Sequence, residues 1–342
     1  MRVPRRLVAI VVSLAVSFAV GLPAGATNVP APLAAFQAQL FALSMRAPGH
    51  IGIAVQDVFT GATTGINAGT EMPAASTIKI PVMVEVFRQL SAGNFDLNTR
   101  VKLRRSDKDW GSGDLARGRV GTSYPVSRLL ALMIDVSDNT ATNMLIRLVG
   151  RPHINASMVE LGLTHTRLTD FIRSEGPHIR WALRSSPADM AHLLRKMAKK
   201  QLIDEWSSGE MLAILRGQQH NSLLPEPLPE GTEIAHKTGT LHDTLNDVGI
   251  VYEGSDPYVI AVMTTDLRTL SSGRRFIRGV SRLAYDALGK FAAWRGVNDF
   301  NPVAEPTVSA PTDAAPPTAD QQMWTPQSVP APPAVPEPTP TP

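Results

Sequence analysis

Apolar positions recur along this chain with two different spacings, and the spacings divide it into blocks. Pro32 to Met45 carries apolar residues at helical intervals. His50 to Val58 (HIGIAVQDV) alternates as a strand; Gly61 punctuates a turn, and a second short strand is predicted over Thr63 to Ile66. From about Ser76 to Gly217 the pattern is mostly helical. Three strand-like runs follow, Glu233 to Thr238, Asn246 to Glu253 and Tyr258 to Thr265, and Arg275 to Arg295 closes the pattern as a helix. Strands, helical block, strands and a last helix predict an α+β molecule. Its antiparallel sheet is assembled from both ends of the chain, and the helical block forms a second lobe. No internal repeat is visible.

The two ends differ from this middle. Met1 to Arg6 carries three arginines, Leu7 to Leu22 is almost continuously apolar, and Ala24-Gly25-Ala26 offers small residues at an exit site. Residues 1–26 therefore read as a secretory signal. The apolar run is short for a bilayer span, which needs ~20 residues, so removal is preferred to retention as an anchor. The expected location is outside the cytoplasm, secreted or periplasmic. Residues 303–342 are dominated by Pro, Ala and Thr with a single aromatic, Trp324. Such a segment buries too little surface to offset its ordering entropy, which predicts a disordered or polyproline-like tail. A solvated tail is the ordinary explanation; contact with a cell wall is the alternative. Residues 27–302 remain as the folded domain.

Composition narrows the function. The apolar fraction of 43% and charged fraction of 18% are those of a soluble globular protein. The net charge of +3 and the lack of dense Lys/Arg runs argue against a nucleic-acid partner. With no cysteine, the chain has no disulfide, no thiolate nucleophile and no cysteine-held metal. No HExxH-like spacing is present, so neither a metal nor a cofactor is implied.

Three short motifs carry candidate chemistry. Ser76-Thr77-Ile78-Lys79 places a hydroxyl and an amine one helical turn apart. Serine is a weak nucleophile until a base takes its proton, and a buried lysine serves because desolvation lowers its pKa. Ser137-Asp138-Asn139 sets a hydroxyl and an amide after an apolar helix end; Ser and Asp are also favoured helix N-caps. Lys237-Thr238-Gly239-Thr240 ends a strand with groups suited to a carboxylate, and its glycine removes a side chain where a substrate would approach. Each motif alone has an ordinary structural explanation.

Together and in this order, the three motifs resemble the signature of class A β-lactamases and penicillin-binding proteins. Similarity extends from about Phe36 to Phe291 and includes Thr166-Arg167-Leu168 and Ser186-Pro187-Ala188-Asp189-Met190. The resemblance implies a β-lactamase/transpeptidase-like α+β fold: a five-stranded antiparallel sheet with flanking helices, plus an all-helical lobe. It implies a serine hydrolase that opens β-lactam amides through an acyl-enzyme at Ser76. Lys79 would serve the proton network, Ser137 would pass a proton to the departing nitrogen, and Asn139 would hold a substrate amide. Lys237 and Thr238 would bind the substrate carboxylate beside Gly239, and the N–H groups of Ser76 and Thr240 would form an oxyanion hole. A monomer is expected on the same grounds. The alternatives are a D-alanyl-D-alanine peptidase or penicillin-binding protein with slow deacylation, acting on D-Ala-D-Ala-like peptides, and a non-catalytic cell-wall binding or sensor protein.

The chain also departs from that family's pattern. The loop after Arg167-Leu168 runs Thr169-Asp170-Phe171-Ile172-Arg173-Ser174-Glu175, so Ile172 stands where the family carries its water-activating glutamate. Asp170 and Glu175 are the nearest substitutes, each with a solvated loop carboxylate as its ordinary explanation. The family's strand-borne arginine for the substrate carboxylate is also not obvious. Asp247 or Val248 falls near its place, and Arg274 or Arg275 is the weaker candidate. His236, His242 and Trp110-Gly111-Ser112-Gly113 are expected near the cleft.

Overall fold

The computed structural model describes residues 29–176, 179–254 and 256–298; the predicted signal and Pro-rich tail lie outside them. In chain order the elements are α1 (Ala31–Ser44), β1 (His50–Asp57), β2 (Thr63–Ile66), β3 (Met72–Pro73), a 3₁₀ turn (Ala75–Ile78) and α2 (Lys79–Ser91). Then come β4 (Arg100–Lys102), β5 (Ser123–Pro125), α3 (Val126–Asp135), α4 (Asn139–Val149), α5 (Arg151–Glu160) and β6 (Arg167–Leu168). They are followed by α6 (Ile179–Ala182), β7 (Leu183–Ser185), α7 (Pro187–Ala198) and α8 (Glu205–Arg216). The chain closes with β8 (Glu233–Thr240), β9 (Leu245–Glu253), β10 (Asp256–Thr265) and α9 (Leu270–Asn298).

The main sheet has the order β2-β1-β10-β9-β8, every neighbouring pair antiparallel. Strands from the two ends of the chain meet where β1 pairs with β10, as the block pattern predicts. Period-2 alternation sends side chains to two separate cores. Ile51, Ile53 and Val55 of β1, with Tyr258, Ile260 and Val262 of β10, face Phe36 and Leu40 of α1 and Phe276, Ile277 and Val280 of α9. Ala54, Val259, Ala261 and Met263 face the opposite way, into the core shared with the helical lobe.

That second core is built around α2. Its residues Lys79 to Phe87 are all buried, so the helix is enclosed on every side. The helical lobe (α2–α5 and α8) surrounds it, and α7 packs on β1, β9 and β10. Three details differ from the expected pattern. The helical block also holds β6 and β7, which join β3 from just before it in a three-stranded sheet, β3-β7-β6, and a two-stranded sheet, β4-β5; all of these strands are too short to show a period. β8 runs two residues further than predicted, so Gly239 and Thr240 lie on the strand itself. The last helix begins five residues earlier, at Leu270.

Candidate active site

The cleft lies where the helical lobe meets β8, the edge of the main sheet, and it encloses about 870 Å³. Ser76, Ser137, Asn139, Ile172, Thr238 and Thr240 line it, so the three motifs predicted to converge do so. Ser76 sits in the 3₁₀ turn that leads into α2 and is partly exposed, while Lys79 one turn on is fully buried. The residue before Ser76, Ala75, has φ +48°, and Ser137 has φ +58°. Non-glycine residues held in this left-handed region cost energy and collect at functional sites.

Lys79 Nζ donates three hydrogen bonds: to Ser137 O at 2.6 Å, Ser137 Oγ at 2.9 Å and Asn139 Oδ1 at 2.8 Å. These three acceptors use all the donors of an ammonium. Burial pushes the Lys79 pKa well below its ordinary value; the charge of Lys237 pushes the same way, and Asp138 and Asp109 oppose it. Lys237 is also fully buried; desolvation lowers its pKa to about 7 against the pull of Asp247 and Asp135. Its Nζ donates to Thr238 O at 3.0 Å. Lys237 thus stands behind the wall that Thr238 and Thr240 form. His220, also on the wall, is held below its usual pKa by desolvation and by Lys237.

Asp138, between the two pocket residues of its motif, is the N-cap of α4: its Oδ1 accepts from Ala141 N at 2.8 Å, and its Oδ2 accepts from Leu115 N at 2.8 Å. Capping therefore explains Asp138, while Ser137 and Asn139 line the cleft. Gly239 has an equally specific reason. A Cβ there would lie 2.9 Å from Ala74 O and 3.0 Å from Ser76 N, so glycine lets β8 approach the Ser76 backbone.

Ile172 faces the cleft, and its main chain is clamped to α4: Asn143 Nδ2 donates to Ile172 O at 3.0 Å and Ile172 N donates to Asn143 Oδ1 at 2.8 Å. Asp170 and Glu175 instead line a smaller cavity of about 160 Å³ and not the main one. Among the described residues no carboxylate lines the cleft around Ser76. Arg274 lines it and Arg275 does not. Asp247 is fully buried, bonded to His236 Nδ1 at 2.8 Å and to Leu224 N at 3.0 Å, and so belongs to the sheet interior. His236 is buried with it and stays out of the cleft, because both ring nitrogens are engaged by Asp247 and Asn221. His242 does line the cleft. Gly111 and Ser112 line the rim, and the exposed Trp110 ring lies under Lys108 Nζ.

Two residues that sequence patterns did not single out organise the site. Asn246 Nδ2 donates to Pro73 O at 2.9 Å and Ala74 O at 3.1 Å, fastening the approach to Ser76 onto β9. Asp109 is buried beside Asn139 and accepts from its Nδ2 at 2.7 Å. Both act through long-range contacts that no local spacing announces.

The sequence model of the beta-lactamase enzyme family matches residues 35–288. The β-lactamase CTX-M-97 of Escherichia coli is 27% identical over 251 residues, which is 70% of this chain and 84% of that protein. A mutant of PBP-A, in an acyl-enzyme complex with penicillin G, superposes with a TM-score of 0.71 at 32% identity. That match covers 75% of this chain and 97% of the other. A β-lactamase from Sphaerobacter thermophilus gives a TM-score of 0.68 at 32% identity, covering 76% and 97%. With the family model matched over residues 35–288 and three quarters of its length superposed in this way, the chain belongs to the beta-lactamase enzyme family.

Proposed function

We propose that the chain hydrolyses β-lactam amides through an acyl-enzyme at Ser76, and that release of the acyl group is its slow half-reaction. The observation that carries this is the meeting of Ser76, the Lys79–Ser137–Asn139 network and the β8 edge in one cleft. Neutral Lys79 takes the Ser76 hydroxyl proton as Oγ attacks the amide carbonyl carbon. The N–H groups of Ser76 and Thr240 receive the developing oxyanion, a donor arrangement of which each member is worth ~10²–10³ in rate. The carbon–nitrogen bond then breaks. Ser137 gives its hydroxyl proton to the departing nitrogen and is refilled from the Lys79 ammonium at 2.9 Å. The net transfer is one proton from Ser76 to the nitrogen. Asn139 holds the acyl side-chain amide, Thr238 and Thr240 take the carboxylate, and Lys237 supplies positive charge from behind them.

Deacylation requires a base that activates water near the ester. Ile172 supplies none, and Asp170 and Glu175 line the adjoining smaller cavity rather than the cleft itself, which supports a persistent acyl-enzyme. Mixing the full chain with a chromogenic cephalosporin tests both halves. The expected result is a burst equal to the enzyme concentration, then slow turnover, with Ser76→Ala giving neither. Ile172→Glu is expected to raise the steady state about 10²-fold, the lower end for a placed general base. Fast turnover without a burst would contradict slow release, and full activity in Ser76→Ala would contradict the nucleophile.

A further inference from the structure

One carboxylate joins three separate segments behind the cleft. Asp109 is 6% exposed and has four donors on its two oxygens. Oδ1 accepts from Asn139 Nδ2 at 2.7 Å and Gly111 N at 3.0 Å. Oδ2 accepts from Ser174 N at 2.7 Å and Ser174 Oγ at 3.0 Å. The rim residues 109–113, the start of α4 and the loop 171–176 are therefore clasped through a single side chain. Gly111 belongs to the same arrangement: a Cβ there would sit 2.3 Å from Ser174 Cβ and 3.2 Å from Asn139 Nδ2. The clasp is not a helix cap, since Asp138 already caps α4.

An ionised carboxylate only accepts hydrogen bonds, so it dictates which end of the Asn139 amide faces it. With Nδ2 held by Asp109, Oδ1 must face the Lys79 amine, and the second Nδ2 hydrogen is left for a substrate carbonyl. The other half of the clasp holds Ser174, two residues beyond Ile172, and so fixes the stretch of cleft wall that both residues line. We propose that Asp109 is a positioning residue for acylation, locking the Asn139 amide in its productive orientation and fastening the loop 171–176 over the cleft. The proposal rests on the acyl-transfer reading of Ser76.

The variants Asp109→Ala, Asp109→Asn and Ser174→Ala separate the two arms. In Asp109→Asn, an oxygen turned toward Asn139 and Gly111 leaves one donor–donor conflict, at Ser174 N; the reverse orientation leaves two. The asparagine therefore keeps the Asn139 arm and releases the loop. Acylation by benzylpenicillin is followed by intact mass at several drug concentrations, which separates pre-binding from the acylation rate constant. Hydrogen exchange reads the amides of residues 171–176. Asp109→Ala is expected to lower the acylation rate constant about 10²-fold, the cost of misplacing a substrate-positioning group by about 1 Å. Asp109→Asn should recover about tenfold of that loss. All three variants should exchange faster in the loop, with Ser174→Ala losing less acylation than Asp109→Ala. A folded Asp109→Ala that acylates like the parent overturns the proposal, as does unchanged loop exchange in all three. Should Asp109→Ala fail to fold, Asp109→Asn decides: weakened pre-binding with an unchanged acylation rate constant overturns it. Absence of any adduct on the parent chain would instead sink the Ser76 reading, while loop exchange would still report on the clasp.

Discussion

Lys79 and Lys237 place two amines in one water-poor site, and each is made more acidic by burial. The two shifts act in opposite directions on activity. In the proposed mechanism, loss of a proton makes Lys79 a competent base, whereas loss of a proton at Lys237, near pH 7, removes the positive charge offered to an anionic substrate. Acylation by an anionic β-lactam is therefore expected to fall on the alkaline side with a midpoint near 7. In Lys237→Arg the guanidinium stays charged across the range, so that limb should disappear from the pH profile. An unchanged alkaline limb in the variant would show that another group sets it. The sign for stability also follows. A lysine whose folded pKa is depressed binds fewer protons in the folded state than in the unfolded one. For Lys237, stability therefore rises with pH between about 7 and 10.5, and below that window the buried site costs the fold its full penalty. Ser76, Lys79, Ser137, Asn139 and Lys237 are all legible in the sequence because their chemistry needs local spacing. Asp109 and Asn246 are not, because Ser174 lies 65 positions from the first and Pro73 lies 173 from the second.

At the scale of elements, an edge strand is brought against a helix start. β8 has β9 on one side only, and Gly239 allows its other side to reach Ala74 and Ser76. Gly239→Ala would set a Cβ at 2.9 and 3.0 Å from backbone atoms, which have no rotamer with which to move away. The strand edge and the nucleophile's turn must separate by a few tenths of an ångström. The expected outcome is an acylation rate constant lower by about 10²-fold. The melting temperature should change by only a few degrees, the equivalent of about 1 kcal/mol. Parent-like acylation in a folded variant would contradict this account of the glycine. The long strands and helices were legible because both cores impose a period on them. The short β3–β7 and β4–β5 strands were not, since two or three residues carry no period and tertiary pairing alone defines them.

For the molecule as a whole, the sheet separates two apolar cores, and the cleft draws lining from both: Leu223 and Leu245 from one, Ile172 and Leu183 from the other. One core packs the sheet against α1 and α9. The other unites the sheet with the helical lobe and encloses α2, whose first residue is Lys79. A helix buried on all sides holds that amine rigidly and without water, and the same burial lowers its pKa. Block order along the chain was enough to predict a sheet joined from both ends. The meeting of Ser76, Ser137 and Thr238 depends on how the lobe seats against β8, which only the folded structure displays. The most direct measurement is to incubate the full chain with benzylpenicillin, quench, digest and locate the covalent adduct by mass spectrometry. One penicilloyl group on the hydroxyl of Ser76, lost in both Ser76→Ala and Lys79→Ala, is the predicted result. An unmodified Ser76 in a folded chain, or an adduct on any other residue, would contradict it.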